Sequence, residues 1–245
     1  METDADTEIG EVVRRNFKTA QVFKNHNIDY SCYGEIPLSV ACRQSNTRIA
    51  NLKSEIDPML QVYDPDSRFI EKLSLEELSN YIVKRHHSYV KESIPFLQAK
   101  LKKLINLHGH KRPVLHELSK LFSEAADTLT AHMEQEEFHL FPFINILENF
   151  YRVKTISDDY YSIVQKVFDE IREDHIAERN RFEAISNLTD NYKVPLNGCR
   201  LYEVTYLTLE ELDMDLQKHM HLESYVLNKK AIELYQKLIT QKQPI

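Results

Sequence analysis

The chain carries the pattern His-x-x-x-Glu twice, as His132-Met-Glu-Gln-Glu136 and as His219-Met-His-Leu-Glu223. Each copy lies in a stretch with a helical pattern, and residues four apart on a helix lie on one face, one turn above each other. Each copy therefore points an imidazole and a carboxylate in the same direction. Two such helices facing each other can hold a pair of metal ions. Nitrogen and oxygen ligands of this kind suit iron, manganese or zinc and do not choose among them.

The composition predicts an all-α protein that acts in the cytoplasm. Among 245 residues there are 4 glycines and 8 prolines, and so few breakers among many helix formers favour helices throughout. A net charge of −7 without a basic block argues against nucleic-acid binding. An apolar run long enough for a membrane span is absent from the sequence. The acidic first residues do not resemble a signal peptide, and three cysteines make no disulfide framework.

The first part of the chain reads as a small helical domain that contains a cysteine. We place it at residues 1–57, with an amphipathic helix from Thr7 to His26, a turn that carries Cys32, and a further helix from about Asn46 to Ile56. Residues 58–73 contain two prolines and two aspartates, which is typical of a linker.

The remainder, residues 74–242, predicts an up-and-down four-helix bundle. It opens with Ser74-Leu-Glu-Glu77, a capping box that marks the start of a helix. Short breaks then separate four long helical stretches, and helices joined by short loops lie antiparallel to each other. The predicted helices are at about 75–107, 113–147, 157–188 and 199–240.

Histidines on all four helices fall at one depth of this bundle. His87 lies about 24 residues before a turn near 111, and His132 lies about 21 residues after it. Around the next turn, near 154, Glu136 and His175 are about 18 and 21 residues away. Around the last, near 195, the distances of His175 and His219 are about 20 and 24 residues. At a rise of about 1.5 Å per residue these offsets differ by a few ångströms.

Each feature alone has an ordinary explanation. A single histidine on a helix is usually a polar or partly buried residue, and a single His-x-x-x-Glu is usually a surface pair. Buried imidazoles and carboxylates clustered at one depth without a metal would be costly, so a bundle with incidental histidines is the weaker alternative. His108 lies about 31 Å along the helix from His87 and is excluded. Of the adjacent His86 and His87, only one should reach the centre. The histidines assigned to the surface or to the surroundings of the site are His26, His110, His116, His139 and His221. The acidic residues assigned to the same places are Glu137, Asp174 and Glu178.

The same segments resemble a hemerythrin-like domain, and more closely the RIC family, proteins for the repair of iron–sulfur centres under nitrosative and oxidative stress. The bundle segments that carry the resemblance are Arg85-His-His87, His132-Met-x-x-Glu136-Glu-x-x-Leu140-Phe-Pro142, Glu173-Asp-His175 and His219-Met-His-Leu-Glu223. The stretch from Phe23 to Gly34 resembles the short leading domain of that family.

The resemblance implies iron as the metal, in an oxo-bridged centre of two iron ions. The implied ligands are His87, His132, Glu136, His175, His219 and Glu223. The two glutamates are the natural bridges, because a carboxylate has two oxygens. His87 and His219 would complete one iron, and His132 and His175 the other. The implied function is repair of damaged iron–sulfur clusters by iron delivery, by removal of nitric oxide, or by both. The partners would be damaged iron–sulfur proteins and nitric oxide or oxygen. A nitric oxide reductase-type activity and a homodimer are left open.

Two positions depart from the family pattern. The leading domain of the family normally carries two adjacent cysteines, whereas this chain has Ser31-Cys32. We expect Cys32 to be an exposed, reactive thiol that contributes to catalysis, and Cys42 and Cys199 to pack as small apolar residues. Oxygen-carrying hemerythrins place a second histidine where this chain has Arg179. The missing imidazole favours reactive chemistry or metal release, and the rival interpretation is a protein that binds or senses oxygen or nitric oxide.

Overall fold

The computed structural model describes residues 3–153 and 160–242, and in these residues the protein is all-α, without a strand. Five short helices come first: α1 (Ile9–Arg15), α2 (Thr19–Asn25), α3 (Leu38–Gln44), α4 (Ile49–Leu60) and α5 (Pro65–Lys72). The four long helices of a helical bundle follow. No helix in the described part of the chain is both long and apolar enough to cross a membrane.

Three of the four long helices contain a π-helical turn. Helix α6 consists of Leu75–Ile82, the π turn Val83–His87 and Ser88–His108. Helix α7 consists of Val114–Gln135, the π turn Glu136–Leu140 and Phe141–Val153. Helix α8 is Tyr160–Leu188, and helix α9 consists of Arg200–His221, the π turn Leu222–Leu227 and Asn228–Lys242.

The chain divides into two compact units. The first contains residues 1–79, 144–168 and 218–245, and the second contains residues 80–143 and 169–217. Each long helix contributes to both units, so the units do not coincide with the sequence-based division at residues 57 and 73.

The predicted helix from Thr7 to His26 is wrong in its middle, because the chain leaves the helix at Asn16. There the backbone is extended, with φ −154° and ψ 107°. The Phe17 amide donates to the Asp64 carboxylate at 3.1 Å instead of to a carbonyl one turn earlier. The Asn16 side chain donates to the Met59 carbonyl at 2.8 Å. These bonds to distant residues compete with the helix, and local periodicity does not reveal them.

The segment predicted as a linker also forms helix. Asp64 caps α5 by accepting from the Ser67 amide, and Pro65 occupies the first turn. Proline is well suited to this position because its missing N–H would have no helical partner there. Asp64-Pro65, which the sequence analysis assigned to a linker, is therefore the start of α5.

Most of the described helix ends in the bundle lie within two residues of their predicted positions, and the end of α7 is the exception. The capping box is confirmed: the Glu77 amide donates to Ser74 Oγ at 3.1 Å, and the Ser74 amide donates to the Glu77 carboxylate at 2.8 Å. The break predicted from residue 148 to 156 is wrong as far as Val153, because α7 continues to that residue. The rest of this break, including the turn near 154 and the predicted start of the third helix at 157, lies outside the described residues.

The second unit has a core of apolar side chains spaced three or four residues apart. Among the most deeply buried are Leu97, Leu101, Leu104, Leu118, Phe122, Phe182, Ile185, Leu209 and Leu212, each at most 1 % exposed. Burial of one such side chain stabilises the fold by about 1.5–3 kcal/mol. This packing fixes the helix faces from which the histidines project.

In the first unit, the last part of α9 packs against the N-terminal helices. The Tyr225 ring lies so close to Gly10 and Gly34 that a Cβ on either glycine would be 2.5 or 2.8 Å from it. The Tyr225 hydroxyl donates to the Glu8 carboxylate at 2.6 Å, and Lys229 binds the same carboxylate. Residues 1–57 therefore share a compact unit with the end of the bundle.

Candidate metal centre

In the second unit, three imidazoles surround the buried carboxylate of Glu136. This residue is 1 % exposed. Its Oε1 lies 2.8 Å from His132 Nε2 and 3.6 Å from His175 Nε2, while its Oε2 lies 3.3 Å from His87 Nε2. The ligand atoms of His132, Glu136 and His175 lie within 4.8 Å of one another, as in a group able to hold a metal ion. The two carboxylate oxygens thus face different histidines.

Glu137 holds the ring of His87 in one orientation through the nitrogen that does not face Glu136. Its Nδ1 lies 2.8 Å from Glu137 Oε1, and Lys91 Nζ lies 2.8 Å from the same oxygen. Burial alone would raise the pKa of Glu137, but the hydrogen bonds from Lys91 and His87 lower it below its ordinary value. Because an ionised carboxylate only accepts, Nδ1 carries the proton and Nε2 keeps its lone pair toward Glu136. A carboxylate that accepts a hydrogen bond from one ring nitrogen commonly orients a histidine whose other ring nitrogen binds a metal.

The first unit contains the other His–Glu pair. His219 Nε2 lies 2.9 Å from Glu223 Oε1, and the two residues are 1 % and 0 % exposed. This is the second copy of His-x-x-x-Glu, and it has nearly the geometry of His132 and Glu136. Both copies present Nε2 to a carboxylate oxygen.

The π turns coincide with these positions. His87 ends the first turn, Glu136 begins the second, and Glu223 lies in the third. Inserting a residue into a helical turn rotates the following side chains, and such bulges are frequent at functional sites. The periodicity of the sequence does not predict these π turns.

A cavity of about 220 Å³ adjoins His132 in the second unit. Thr128, Asp174, Glu178 and Arg181 are among the residues that line it. Burial raises the pKa of Glu178, although Thr128 and Arg181 donate hydrogen bonds to its carboxylate at 2.9 and 2.7 Å. Small molecules can therefore approach His132, which is 11 % exposed.

The imidazole nitrogens and carboxylate oxygens of this site fit a metal ion of intermediate hardness. In a neutral imidazole whose Nδ1 is protonated, Nε2 is an acceptor and repels a facing carboxylate oxygen. A cation between them reverses the sign of that interaction. Imidazole nitrogen with few carboxylates suits iron and zinc better than magnesium or calcium, which prefer oxygen.

Two other histidines are buried, and neither faces Glu136 in any contact described for the second unit. His86 is 1 % exposed, and its Nδ1 lies 3.0 Å from Asp215 Oδ2. His221 in the first unit is fully buried, with its ring stacked on Tyr225 at a centroid distance of 5.5 Å. Burial lowers the pKa of His221 to about 3, so the ring is neutral at neutral pH. His221 is therefore a core residue, not a surface one.

The remaining predicted surface positions are mostly exposed. His110, His116 and His139 are exposed, while the partly buried His26 has its Nε2 2.8 Å from Glu55. Of the acidic residues assigned to the surface or the surroundings, Asp174 is exposed, Glu137 is partly buried and Glu178 is buried. Arg179, at the position of the missing histidine, donates to Asp213 at 2.9 Å.

The expected exposures of two cysteines are wrong. Cys32 is buried, 1 % exposed, and its Sγ lies 3.9 Å from the sulfur of Met220, the neighbour of His219. Asp29 holds the turn by accepting from the Ser31 and Cys32 amides, and α9 covers the thiol. Cys199 is exposed instead, while Cys42 is buried as expected. A turn sequence shows a bend but does not show which helix packs over it.

Comparison with known proteins assigns families to both parts of the chain. Residues 78–231 match the family model described as the hemerythrin HHE cation binding domain. Residues 5–59 match the model of the ScdA N-terminal domain, described as a domain of unknown function.

Several relatives match over most of their length. The iron-sulfur cluster repair protein ScdA of Staphylococcus haemolyticus is 28 % identical over 89 % of this chain and 95 % of its own. The iron-sulfur cluster repair protein YtfE of Enterobacter sp. is 27 % identical over 93 % of this chain and 97 % of its own. The probable iron-sulfur cluster repair protein of Haemophilus influenzae is 25 % identical over 84 % of this chain and 88 % of its own. With the buried His and Glu residues in place and the family model covering most of the chain, the protein belongs to the hemerythrin HHE cation-binding domain family.

Proposed function

We propose that the protein is a non-haem di-iron protein that repairs iron–sulfur clusters damaged by nitrosative or oxidative stress. The observation that carries this proposal is the Glu136 carboxylate, whose two oxygens face the Nε2 atoms of different histidines in a buried setting. The relatives named as iron-sulfur cluster repair proteins supply the functional class and, with it, iron as the metal.

Six residues are the proposed ligands: His87, His132, Glu136, His175, His219 and Glu223. Glu136 is suited to bridging because Oε2 faces His87 while Oε1 faces His132 and His175. His219 and Glu223 are included because they repeat the His-x-x-x-Glu pattern with the same arrangement of Nε2 and carboxylate. The equal depth of these residues along the predicted helices supports a shared centre.

The protein contributes orientation, shielding and access. Glu137 and Lys91 hold His87 with its Nε2 lone pair forward, and the burial of Glu136 and Glu223 strengthens their attraction for a cation. The cavity at His132 lets a small molecule approach from one side. When bound, a pair of iron ions supplies a redox-active centre that takes up small diatomic molecules. The clients of the repair function would be damaged iron–sulfur proteins, and a cytoplasmic location stays a prediction from the sequence.

Metal analysis with an absorption spectrum tests the centre. We expect close to two iron ions per chain and the absorption bands of an oxo-bridged pair. Zinc or a single ion in protein purified from iron-replete cells would contradict the proposal. Recovery of a nitric oxide-damaged iron–sulfur enzyme then tests repair.

A second candidate function is binding or sensing of oxygen or nitric oxide. The observation that favours it is the cavity beside His132, through which a small molecule can approach the proposed ligands. Conversion of nitric oxide to nitrous oxide by the reduced protein, or restoration of a damaged cluster, distinguishes reaction from binding. Reversible uptake without either outcome would favour the carrier or sensor.

The contribution of Cys32 to repair is a separate proposal. Its thiol lies 3.9 Å from Met220 Sδ, one residue from the proposed ligand His219. We expect Cys32→Ser to slow recovery of the damaged enzyme while iron content and di-iron absorption stay unchanged. Equally fast recovery would show that this thiol is dispensable and that the bundle alone carries the activity.

A further inference from the structure

An exposed cysteine and a histidine form a pair at one end of the second unit. Cys199 immediately precedes α9, and its Sγ lies 3.4 Å from Nε2 of His108, the last residue of α6. Cys199 is exposed and His108 is partly buried. An imidazole at this distance can take the thiol proton and stabilise the thiolate, the form that acts as a nucleophile.

The other two cysteines are protected by burial. Cys32 is 1 % exposed and Cys42 is 3 % exposed. Burial raises the pKa of the Cys42 thiol, which lowers its thiolate fraction. Solution reagents therefore meet one accessible thiol, and it is the one with an imidazole partner.

Further polar groups lie beside this pair. The Tyr202 ring contacts the His108 ring at a centroid distance of 5.3 Å. Tyr202 is 1 % exposed, and its hydroxyl has no hydrogen-bond partner among the residues that the structure describes. The Arg112 guanidinium stands over the Tyr202 ring at 5.8 Å from its centroid. Burial raises the pKa of Tyr202, Arg112 opposes that rise, and negative charge on Cys199 adds to it. A nucleophile, a base, a hydroxyl donor and a cation thus occupy one small region.

We propose that Cys199 is a site of thiol–disulfide exchange with small disulfides that carry carboxylates. The Cys199 sulfur attacks one sulfur of the disulfide, a new S–S bond forms, and the old S–S bond breaks. The thiol proton passes to His108 Nε2 and then to the departing thiolate, so the products are a mixed disulfide on Cys199 and one free thiol. Arg112 provides charge complementarity for a carboxylate of the incoming molecule.

This site is remote from the candidate metal centre and does not depend on the proposed function. His108 follows His87 by 21 residues on α6, which corresponds to about 31 Å along the helix. Modification of Cys199 can therefore proceed on the metal-loaded protein without direct contact with its ligands.

The test treats the full-length, metal-loaded protein with glutathione disulfide at neutral pH and locates the adduct by peptide mass mapping. We expect one adduct, on Cys199, and none in Cys199→Ser. His108→Gln removes the group that takes the thiol proton, so it should slow the reaction about threefold or more. The control His110→Gln replaces an exposed histidine of the same turn and should leave the rate unchanged.

Two further measurements separate the base from a structural effect. In alkaline buffer the rates of His108→Gln and the unmodified sequence should converge, because hydroxide then removes the thiol proton. The di-iron absorption should stay the same before and after modification. An adduct on Cys32 or Cys42 formed as fast as on Cys199, or an unchanged neutral rate in His108→Gln, would overturn the proposal.

Discussion

Replacement of Glu136 by glutamine tests the candidate metal centre most directly. Glutamine keeps the shape of the side chain but removes one negative charge and turns one ligand oxygen into an amide nitrogen that donates. In the structure the two oxygens of Glu136 face three imidazole nitrogens at 2.8, 3.3 and 3.6 Å. These nitrogens belong to both proposed metal positions. The change should therefore weaken the binding of both metal ions.

The loss of iron affinity in Glu136→Gln has a lower bound. Loss of a group that only orients a metal ligand lowers affinity about 10- to 100-fold. Glu136 is proposed to bind both ions directly, so the loss should exceed about 100-fold. We expect iron content after anaerobic reconstitution and gel filtration to fall by more than half, with loss of the di-iron absorption.

The matched control is Glu134→Gln, an exposed carboxylate on the same helix. It should keep the iron content of the unmodified sequence in the same reconstitution. Thermal unfolding of the metal-free proteins excludes misfolding as the cause, because removal of a buried charge should leave metal-free Glu136→Gln at least as stable. Full iron content in Glu136→Gln, or equal iron loss in both variants, would refute the ligand assignment.

Three further predictions follow from the contacts around the site and in the first unit. Glu137→Gln weakens the hydrogen bond that orients His87 and should lower iron affinity about 10- to 100-fold in a chelator competition; unchanged affinity would show that this contact is not needed. Gly34→Ala places a Cβ 2.8 Å from the Tyr225 ring and should lower the free energy of unfolding by about 1–3 kcal/mol in urea, whereas an unchanged midpoint would contradict the close packing. Asp64→Ala removes a helix cap and should cost about 1–2 kcal/mol at neutral pH. Burial alone would raise the pKa of Asp64, but its hydrogen bonds lower the pKa below the ordinary value, so this contribution is present above about pH 4 and lost as the pH falls through the folded value. A difference that persists in acid would contradict that origin.

The sequence alone determined the helical class and the candidate ligands. Helical periodicity records which side of each helix is apolar, and the rise per residue converts sequence distance into depth along a bundle. Those two regularities were enough to select His87, His132, Glu136 and His175, which the second unit brings together around one carboxylate. The same count excluded His108.

Only the tertiary structure decided how the cysteines and the short helices are used. Cys32 is buried because α9 packs over its turn, whereas Cys199 is exposed beside His108 because a loop precedes its helix. The helix break at Asn16 depends on Asp64, a residue almost fifty positions away. Local patterns encode the period and the apolar face of a helix. They do not encode which distant side chain will take a backbone N–H or cover a thiol, because that choice is made when the helices pack.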